Sequence, residues 1–427
     1  MTPSSPDPAA LVERLAAVAA RPASAVAEHN LAALLGDLGR SAEAEAAARR
    51  AFAKGGDAPE TWLVLSRALL AQSRHDEADV AYRAALARRP GYIDAVRDLA
   101  QLIWMRTADG ERAMAPVREA LARTPADPAL HLLRATLMDY TGAEARTVWR
   151  TLTGPGVPTH PEIELAAAHA ALAFDPDQAL VHAVRATSLA PADLRAWLRL
   201  TEVRLARRDT DEALALIEPL TERFPADQAV LSLAGLARRL AGRPSDDQDL
   251  VQAHVIDTPA GWPDLPSFLS DLAGSLRRLH GLRTHPLGQS LRHGTQTAVD
   301  LKASEDPVIQ AFLGAVQGPI SRHVAGLGVG ADPLRARNTG AWRMAGCWSV
   351  QLAPGGFHAP HVHPNGWLSS ACYIEVPAVV EAGGHEGWLG FGGAPFAPEV
   401  FPPERFEKPE PGKLVLFPSY LWHGTVP

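Results

Sequence analysis

The sequence predicts a multidomain chain in two parts of different class: an all-α helical-repeat solenoid, then a mainly β domain with flanking helices. Three observations predict it. Ala, Leu and Arg dominate up to about Arg243, whereas Gly, Pro, Trp and His gather after about Gly261. The first part resembles itself when slid by 34 residues, a period typical of stacked helical hairpins. From Arg335 onward, short runs of β-branched and aromatic residues alternate with Gly and Pro, as strands of an antiparallel sandwich or barrel do.

Composition sets outer bounds. A chain of 427 residues exceeds what one core usually fills. With 47% hydrophobic and 21% charged residues it reads as an ordinary soluble protein. A net charge of -7 provides no general basic face, so neither nucleic acid nor a membrane surface is expected as a partner. The only cysteines, Cys347 and Cys372, form no CxxC pair and no disulfide framework, which suits a reducing cytoplasm. The start, MTPSSPDPAALVERLAAVAARPAS, lacks the basic and apolar regions of an export signal. A soluble, cytoplasmic protein is expected.

The helical units repeat one set of offsets. In TWLVLSRALLAQSRHDEADVAYRAALARRP, Trp62, Leu65, Ser66 and Leu69 recur at helical spacing; Ala78, Tyr82 and Ala85 make a second stripe, and Pro90 closes the unit. One unit earlier the same places carry Leu31, Ala32, Leu35, Ala44, Ala48 and Ala51. Later units carry Ala113, Val117, Ala120 and Pro125, then Ala179, Ala183, Ala186 and Pro191, then Trp197, Leu200, Ala213, Ile217, Leu220 and Pro225. Small residues let paired helices approach, large ones fill the groove between neighbours, and the proline ends the second helix. This pattern resembles the tetratricopeptide repeat family, in about six units between roughly Ser24 and Arg243, the weakest running from Leu130 to Leu152. The resemblance implies a concave groove for a protein or peptide partner, and no chemistry. A plainer reading is that the array dimerises the protein or braces the second domain.

Residues 1–243 are therefore expected as the repeat domain, 244–260 as a linker around the polar AGRPSDDQD, and 261–427 as the second domain. There, Phe268, Leu269, Leu272, Leu276 and Leu279 predict an amphipathic helix, and DPVIQAFLGAVQGPISRHVAGL a second one. Strands are expected in AWRMAGCWSVQLAP, WLSSACYIEVP, GWLGFGG and GKLVLFPSYLWHG.

The stretch HAPHVHPNGWLSSACYIEVP crowds three histidines together. His361 and His363, two apart, share a face if the segment is a strand. His423 follows the apolar LVLFPSYLW about sixty residues later, and two ligands from one strand end with a third from a distant strand make an open metal site. His358 has an odd offset from His361 and falls on the other face of a regular strand. Taken alone, HxH is a weak signal, since histidines on exposed loops are usually solvated.

The segments QLAPGGFHAPHVHPNGWLSSACYIEVP and PGKLVLFPSYLWHGTVP resemble a branch of the iron(II) and 2-oxoglutarate-dependent oxygenase superfamily. In that branch an HxHxN segment precedes a Ser-rich turn and a Tyr-bearing strand, and Phe-Pro-Ser leads to a Trp-His-Gly turn. The resemblance covers roughly the last 180 residues, strongly only in these segments. It implies a double-stranded β-helix, jelly-roll or cupin-like, with Fe(II) at one mouth, His361 as first ligand and His423 as distal ligand. Most of the superfamily has HxD, so either His363 makes a three-imidazole site or a carboxylate comes from Glu375, Glu381 or Glu386.

The superfamily usually places an Arg or Lys about ten residues beyond the distal histidine to pair the far carboxylate of 2-oxoglutarate. This sequence stops at Pro427; the expectation is either truncation within the last strand or another anchor. Arg343 and Arg405 are candidates, with hydrogen bonds from Tyr373 and Ser369, and with Asn365 as a turn former and secondary contact. The implied activity is an iron(II)- and 2-oxoglutarate-dependent dioxygenase using O2, hydroxylating a protein or peptide recruited by the repeats. Trp348, Trp367, Phe417 and Trp422 would keep its pocket dry, though they read equally well as core. Two other classes stay open: a non-catalytic scaffold with a degenerate metal-binding barrel, and a three-His cupin-type dioxygenase independent of 2-oxoglutarate.

Overall fold

The repeat spacing becomes a series of helix pairs in the computed structural model, which describes residues 8–243 and 249–427. The helices are α1 (Pro8–Ala20), α2 (Ala25–Asp37), α3 (Ser41–Ala53), α4 (Pro59–Ala71), α5 (His75–Arg88), α6 (Ile93–Thr107), α7 (Gly110–Arg123) and α8 (Pro128–Tyr140). They continue as α9 (Ala145–Thr153), α10 (Pro161–Leu172), α11 (Pro176–Leu189), α12 (Leu194–Ala206), α13 (Thr210–Arg223) and α14 (Gln228–Leu240). First helices of successive pairs thus begin at residues 25, 59, 93, 128, 161, 194 and 228. The small second-helix residues are the closest packed: Ala44, Ala48, Ala78, Ala85, Ala113, Ala179, Ala183 and Ala213 are fully buried. Aspartates at 109, 127, 175, 193 and 227 cap helix starts by accepting from backbone N–H groups. The weak unit has a physical counterpart: α9 is nine residues long, and Glu144 before it makes no side-chain cap.

Two compact units result. One comprises residues 1–142, 155–158 and 281–287; the other comprises 143–154, 159–280 and 288–427. In the first, Leu282 and Leu287 join the core of α6, α7 and α8, and the Arg283 N–H donates to the Met105 carbonyl at 2.7 Å.

Among the described residues the second unit carries all the strands: β1 (Gln252–Val255), β2 (Leu291–Gln296), β3 (Val350–His358), β4 (Leu368–Cys372), β5 (Leu389–Phe391), β6 (Arg405–Glu407), β7 (Lys413–Pro418) and β8 (His423–Thr425). Helices α15 (Leu265–Arg277), α16 (Pro307–Ala315) and α17 (Gln317–Leu327) flank them. The strands form antiparallel sheets in the orders β1-β7-β4, β2-β3 and β6-β5-β8. Alternation assigns the faces. Ala371, Tyr373, Val415 and Phe417 of the first sheet meet Leu389 and Phe391 of the third in one buried cluster. On the opposite face of the first sheet, Leu414, Leu416 and Cys372 pack under α15 and α16.

Several expectations need correction. Residues 252–255, read as linker, are strand β1, paired with β7; residues 244–248 of AGRPSDDQD lie outside the described residues. The single helix expected over 306–327 is two, α16 and α17, meeting at Val316 with Pro319 in the first turn of the second. The stretch AWRMAGCWSVQLAP enters a strand only at Val350. Strand β2 carries a bulge at Arg292/Gly294, where a Cβ on Gly294 would meet the Gln351 carbonyl at 2.7 Å.

The β5–β6 connection is built into the helical core. Ala394, Phe396, Ala397 and Phe401 join one buried cluster with α10, α12, α13 and α14. Arg239 of α14 donates to the carbonyls of Gly392 and Pro402 at 2.8 and 2.9 Å and pairs with Glu404 at 2.8 Å. The last repeats and the β5–β6 connection therefore share one hydrophobic interior.

Candidate metal centre

Three backbone contacts bring the histidines together. The His361 N–H donates to the His423 carbonyl at 2.9 Å and the His423 N–H donates back to the His361 carbonyl at 3.1 Å, an isolated bridge beyond the end of β3. The His363 N–H donates to the Ser419 carbonyl at 2.9 Å. After it, His363-Pro364-Asn365-Gly366 turns, closed by the Gly366 N–H on the His363 carbonyl at 3.2 Å. A Cβ at Gly366 would strike the Ser419 side chain, so the turn needs glycine. One nitrogen from each of His361, His363 and His423 then lies within 4.8 Å of the others.

The ring orientations suit ligation. His361 Nδ1 lies 2.9 Å from the Ala359 carbonyl, and His423 Nδ1 lies 2.9 Å from the Leu421 carbonyl. A carbonyl only accepts, so both Nδ1 atoms carry the proton and both Nε2 atoms present lone pairs to the shared space. His363 Nε2 lies 3.2 Å from His423 Nε2. Burial, the largest cause, lowers the pKa of all three; the neighbouring imidazoles also lower it at His363, to about 4, and push His423 far down. Neutral imidazoles result, and imidazole donors suit iron, zinc, copper and nickel. Among the described residues no carboxylate joins this group. Glu375 pairs with Arg277, Glu381 pairs with Lys408, and Glu386 is exposed.

His358 departs from its parity assignment. Strand β3 ends there and Pro360 follows, so the chain between His358 and His361 is not regular strand. Their rings lie 6.0 Å apart, and Ser290 Oγ bridges them, 2.9 Å from His358 Nδ1 and 3.4 Å from His361 Nε2. Sequence reasoning missed Ser290, which stands just before the unexpected β2 and has no local motif. The other candidates scatter. Ser369 Oγ bonds Ser419 Oγ at 2.8 Å, Asn365 is exposed in its turn, and the Tyr373 hydroxyl is buried without a hydrogen-bond partner. Of the four aromatics, Phe417 lies 4.5 Å from His423 and Trp348 lies 6.4 Å from His363. Trp367 instead donates to the Leu334 carbonyl, and Trp422 packs on the helical core beside Phe396.

Comparison with known proteins agrees with both halves. Residues 346–427 match the family model described as "Putative 2OG-Fe(II) oxygenase", and residues 165–237 match a tetratricopeptide repeat model. No curated protein matches the chain. A thermophilic tetratricopeptide protein of Thermus thermophilus is 24% identical, covering 43% of this chain and 100% of its own, with a TM-score of 0.32. A repeat protein from Cytophaga hutchinsonii is 16% identical over 52% of this chain and 92% of its own, TM-score 0.38. Pseudomonas aeruginosa pilF is 20% identical over 43% and 85%, TM-score 0.31. Among the described residues no helix is long and apolar enough to cross a membrane. The chain joins tetratricopeptide repeats to a domain matching the 2OG-Fe(II) oxygenase family model.

Proposed function

We propose that this protein is an iron(II)- and 2-oxoglutarate-dependent dioxygenase that hydroxylates a protein or peptide recruited by its helical repeats. The observation that carries the reading is the convergence of His361, His363 and His423, inside the segment that matches the oxygenase family. The donor set fits: three neutral imidazoles, two of them with tautomers fixed by backbone carbonyls. Iron is chosen over the other imidazole-binding metals on the family match. The facing sheets, with sheet order β6-β5-β8 beside β1-β7-β4, are consistent with a double-stranded β-helix.

His361, His363 and His423 would hold Fe(II), which when bound supplies open positions for 2-oxoglutarate and O2 and the electrons that begin O2 reduction. The balance is one 2-oxoglutarate, one O2 and one substrate C–H giving succinate, CO2 and a C–OH group. The chain's own tasks are positional. Phe417 and Phe391 wall the site beside His423 with apolar surface and exclude water from it. The three imidazoles add no negative charge, so an anionic cosubstrate meets none from its ligands. Ser290, within hydrogen-bonding range of His361 Nε2, offers a hydroxyl at the edge of the centre.

The test is iron- and O2-dependent conversion of 2-oxoglutarate to succinate by full-length protein, with candidate peptides as stimulants. Succinate above the metal-free blank supports an enzyme; none, from protein loaded with iron, supports a scaffold. Turnover of O2 without 2-oxoglutarate would favour a cupin-type dioxygenase.

A further inference from the structure

Strand β3 has one occupied edge and one that is partly open. Its ladder with β2 aligns Val350 with Gln296, Gln351 with Thr295 and Leu352 with Gly294. One step earlier in the same register, the Thr297 N–H donates to the Ser349 carbonyl at 3.0 Å. In an antiparallel pair, residues that exchange backbone hydrogen bonds alternate with residues that do not. Ser349 and Gln351 therefore turn their backbone groups toward β2, and Val350 and Leu352 turn theirs away from it. The far end of the strand follows the same rule. There the Ala359 N–H donates to the Ser290 carbonyl at 2.9 Å, so His358 faces away from β2, and its N–H meets Thr425 Oγ1 of β8 at 2.7 Å. At Val350 and Leu352, among the described residues, no strand takes the place that β8 takes at His358.

A second observation is the row of apolar side chains beside that edge. Trp348, Val350 and Leu352 alternate along the chain and share one face; Trp348 and Leu352 keep 46% and 40% of their exposure. The exposed indole stands on a braced loop. Asp300 Oδ1 accepts from the Cys347 N–H at 3.2 Å, and the Leu301 N–H donates to the Cys347 carbonyl at 2.7 Å. Lys302 Nζ donates to the Met344 and Ala345 carbonyls at 3.2 and 2.8 Å. The three histidines border the open stretch at both ends: the Trp348 ring lies 6.4 Å from His363, and the His358 ring lies 6.0 Å from His361.

We infer that the open edge of β3 at Val350–Leu352 is a docking strand for the peptide substrate, which adds to the sheet as an extended segment, sets alternate apolar side chains on Trp348 and Leu352, and carries its target residue past the three-histidine centre. The inference rests on the proposed peptide substrate and gives that substrate a form. The edge specifies its occupant, because two N–H and two C=O groups in strand geometry are satisfied together by another extended backbone. Three residues ahead of the bulge opposite Arg292 and Gly294 make too small an edge to hold a second copy of this chain, since stable interfaces bury more than about 1,000 Å². They suit a single peptide segment.

The test is fluorescence anisotropy of full-length protein, without iron or 2-oxoglutarate, against labelled heptapeptides with Val, Leu or Phe at alternate positions and Thr between them. Each peptide has two versions N-methylated at alternate backbone nitrogens, one for each parity. Methylation in one parity should weaken binding roughly tenfold or more, and in the other leave it within about twofold, because only one set of N–H groups faces β3. Leu352→Pro removes an outward N–H that the β2 ladder does not use, so it should weaken the peptide roughly three- to tenfold with the thermal unfolding midpoint unchanged. Trp348→Ala should weaken it roughly tenfold or more. Mn(II) added to the three histidines should broaden the proton resonances of the bound peptide. No binding by any of the peptides would overturn the docking strand, as would binding indifferent to methylation parity and to Leu352→Pro, or a bound peptide that Mn(II) leaves sharp. A dimer of the parent that Leu352→Pro dissociates, seen by sedimentation, would give the edge to a second copy and overturn it too. Parity-dependent binding without succinate formation would retain the docking strand and overturn only the enzyme reading.

Discussion

His361 and His423 are paired twice over. Their backbones exchange both hydrogen bonds, and each ring lies 2.9 Å from the carbonyl two residues upstream, with ring centroids 4.2 Å apart. The same local geometry is built at both positions, from segments sixty residues apart. A preorganised pair of this kind needs little rearrangement to take a metal, and it ties the last strand to the loop that follows β3.

The ligand assignment predicts graded losses. His423→Ala and His363→Ala should each weaken Mn(II) or Fe(II) binding by more than the 10- to 100-fold typical of outer-sphere changes, measured by titration calorimetry. Ser290→Ala, which removes only a neighbour of His361, should stay within about that range. Equal metal affinity in His363→Ala and the parent would exclude His363 as a ligand.

Acid should destabilise the metal-free protein through its buried neutral histidines. His323, 2% exposed and 3.2 Å from His254, has its pKa lowered to about 4, mainly by burial and then by His254. Its folded value lies below the unfolded one near 6.5, so between about 6.5 and 4 the unfolded chain binds a proton that the native state refuses. Stability therefore falls as pH drops through that window, by roughly 3 kcal/mol for this group, and levels off below it. Urea unfolding at pH 7.5 and 4.5 should show a smaller difference in His323→Gln than in the parent.

Phe391 supports both the sandwich and the centre. It is fully buried, 5.1 Å from Phe417 and 6.5 Å from His423 by ring centroids. Phe391→Ala should cost about 3–5 kcal/mol in denaturant unfolding and weaken metal binding. Retained stability would contradict the packing of the two sheets.

Arg239 should matter through its fork. It satisfies two carbonyls and one carboxylate of the β5–β6 connection, so Arg239→Ala should destabilise by about 1–3 kcal/mol, and Arg239→Lys should recover little of that. A fragment of residues 249–427 would expose Phe396 and Phe401, both buried against the last repeats. It should bind hydrophobic dye and self-associate, which light scattering would detect. A well-behaved monomeric fragment would contradict the shared core.

Legibility in the sequence followed range of interaction. The repeats were legible because each helix pair restates the same offsets, and Ala44, Ala78 and Ala113 occupy the positions their period assigned. His361, His363 and His423 were legible because their flanking motifs carry family information. Strands β1, β2 and β6 were not: QAHV, LRHGTQ and RFE are short and owe their form to partners far away in sequence. His358 was misplaced because parity holds only along a regular strand, and Pro360 ends it. The placement of Arg405 opposite Phe391 depends on strand register, which no local pattern encodes.

The most direct measurement of the central claim is anaerobic visible absorption of full-length protein loaded with Fe(II), before and after adding 2-oxoglutarate. Chelation through the keto acid should produce a weak metal-to-ligand charge-transfer band, which saturates with cosubstrate and is lost in His423→Ala. A protein that binds one Fe(II) through these histidines and develops no band at saturating 2-oxoglutarate would contradict the account.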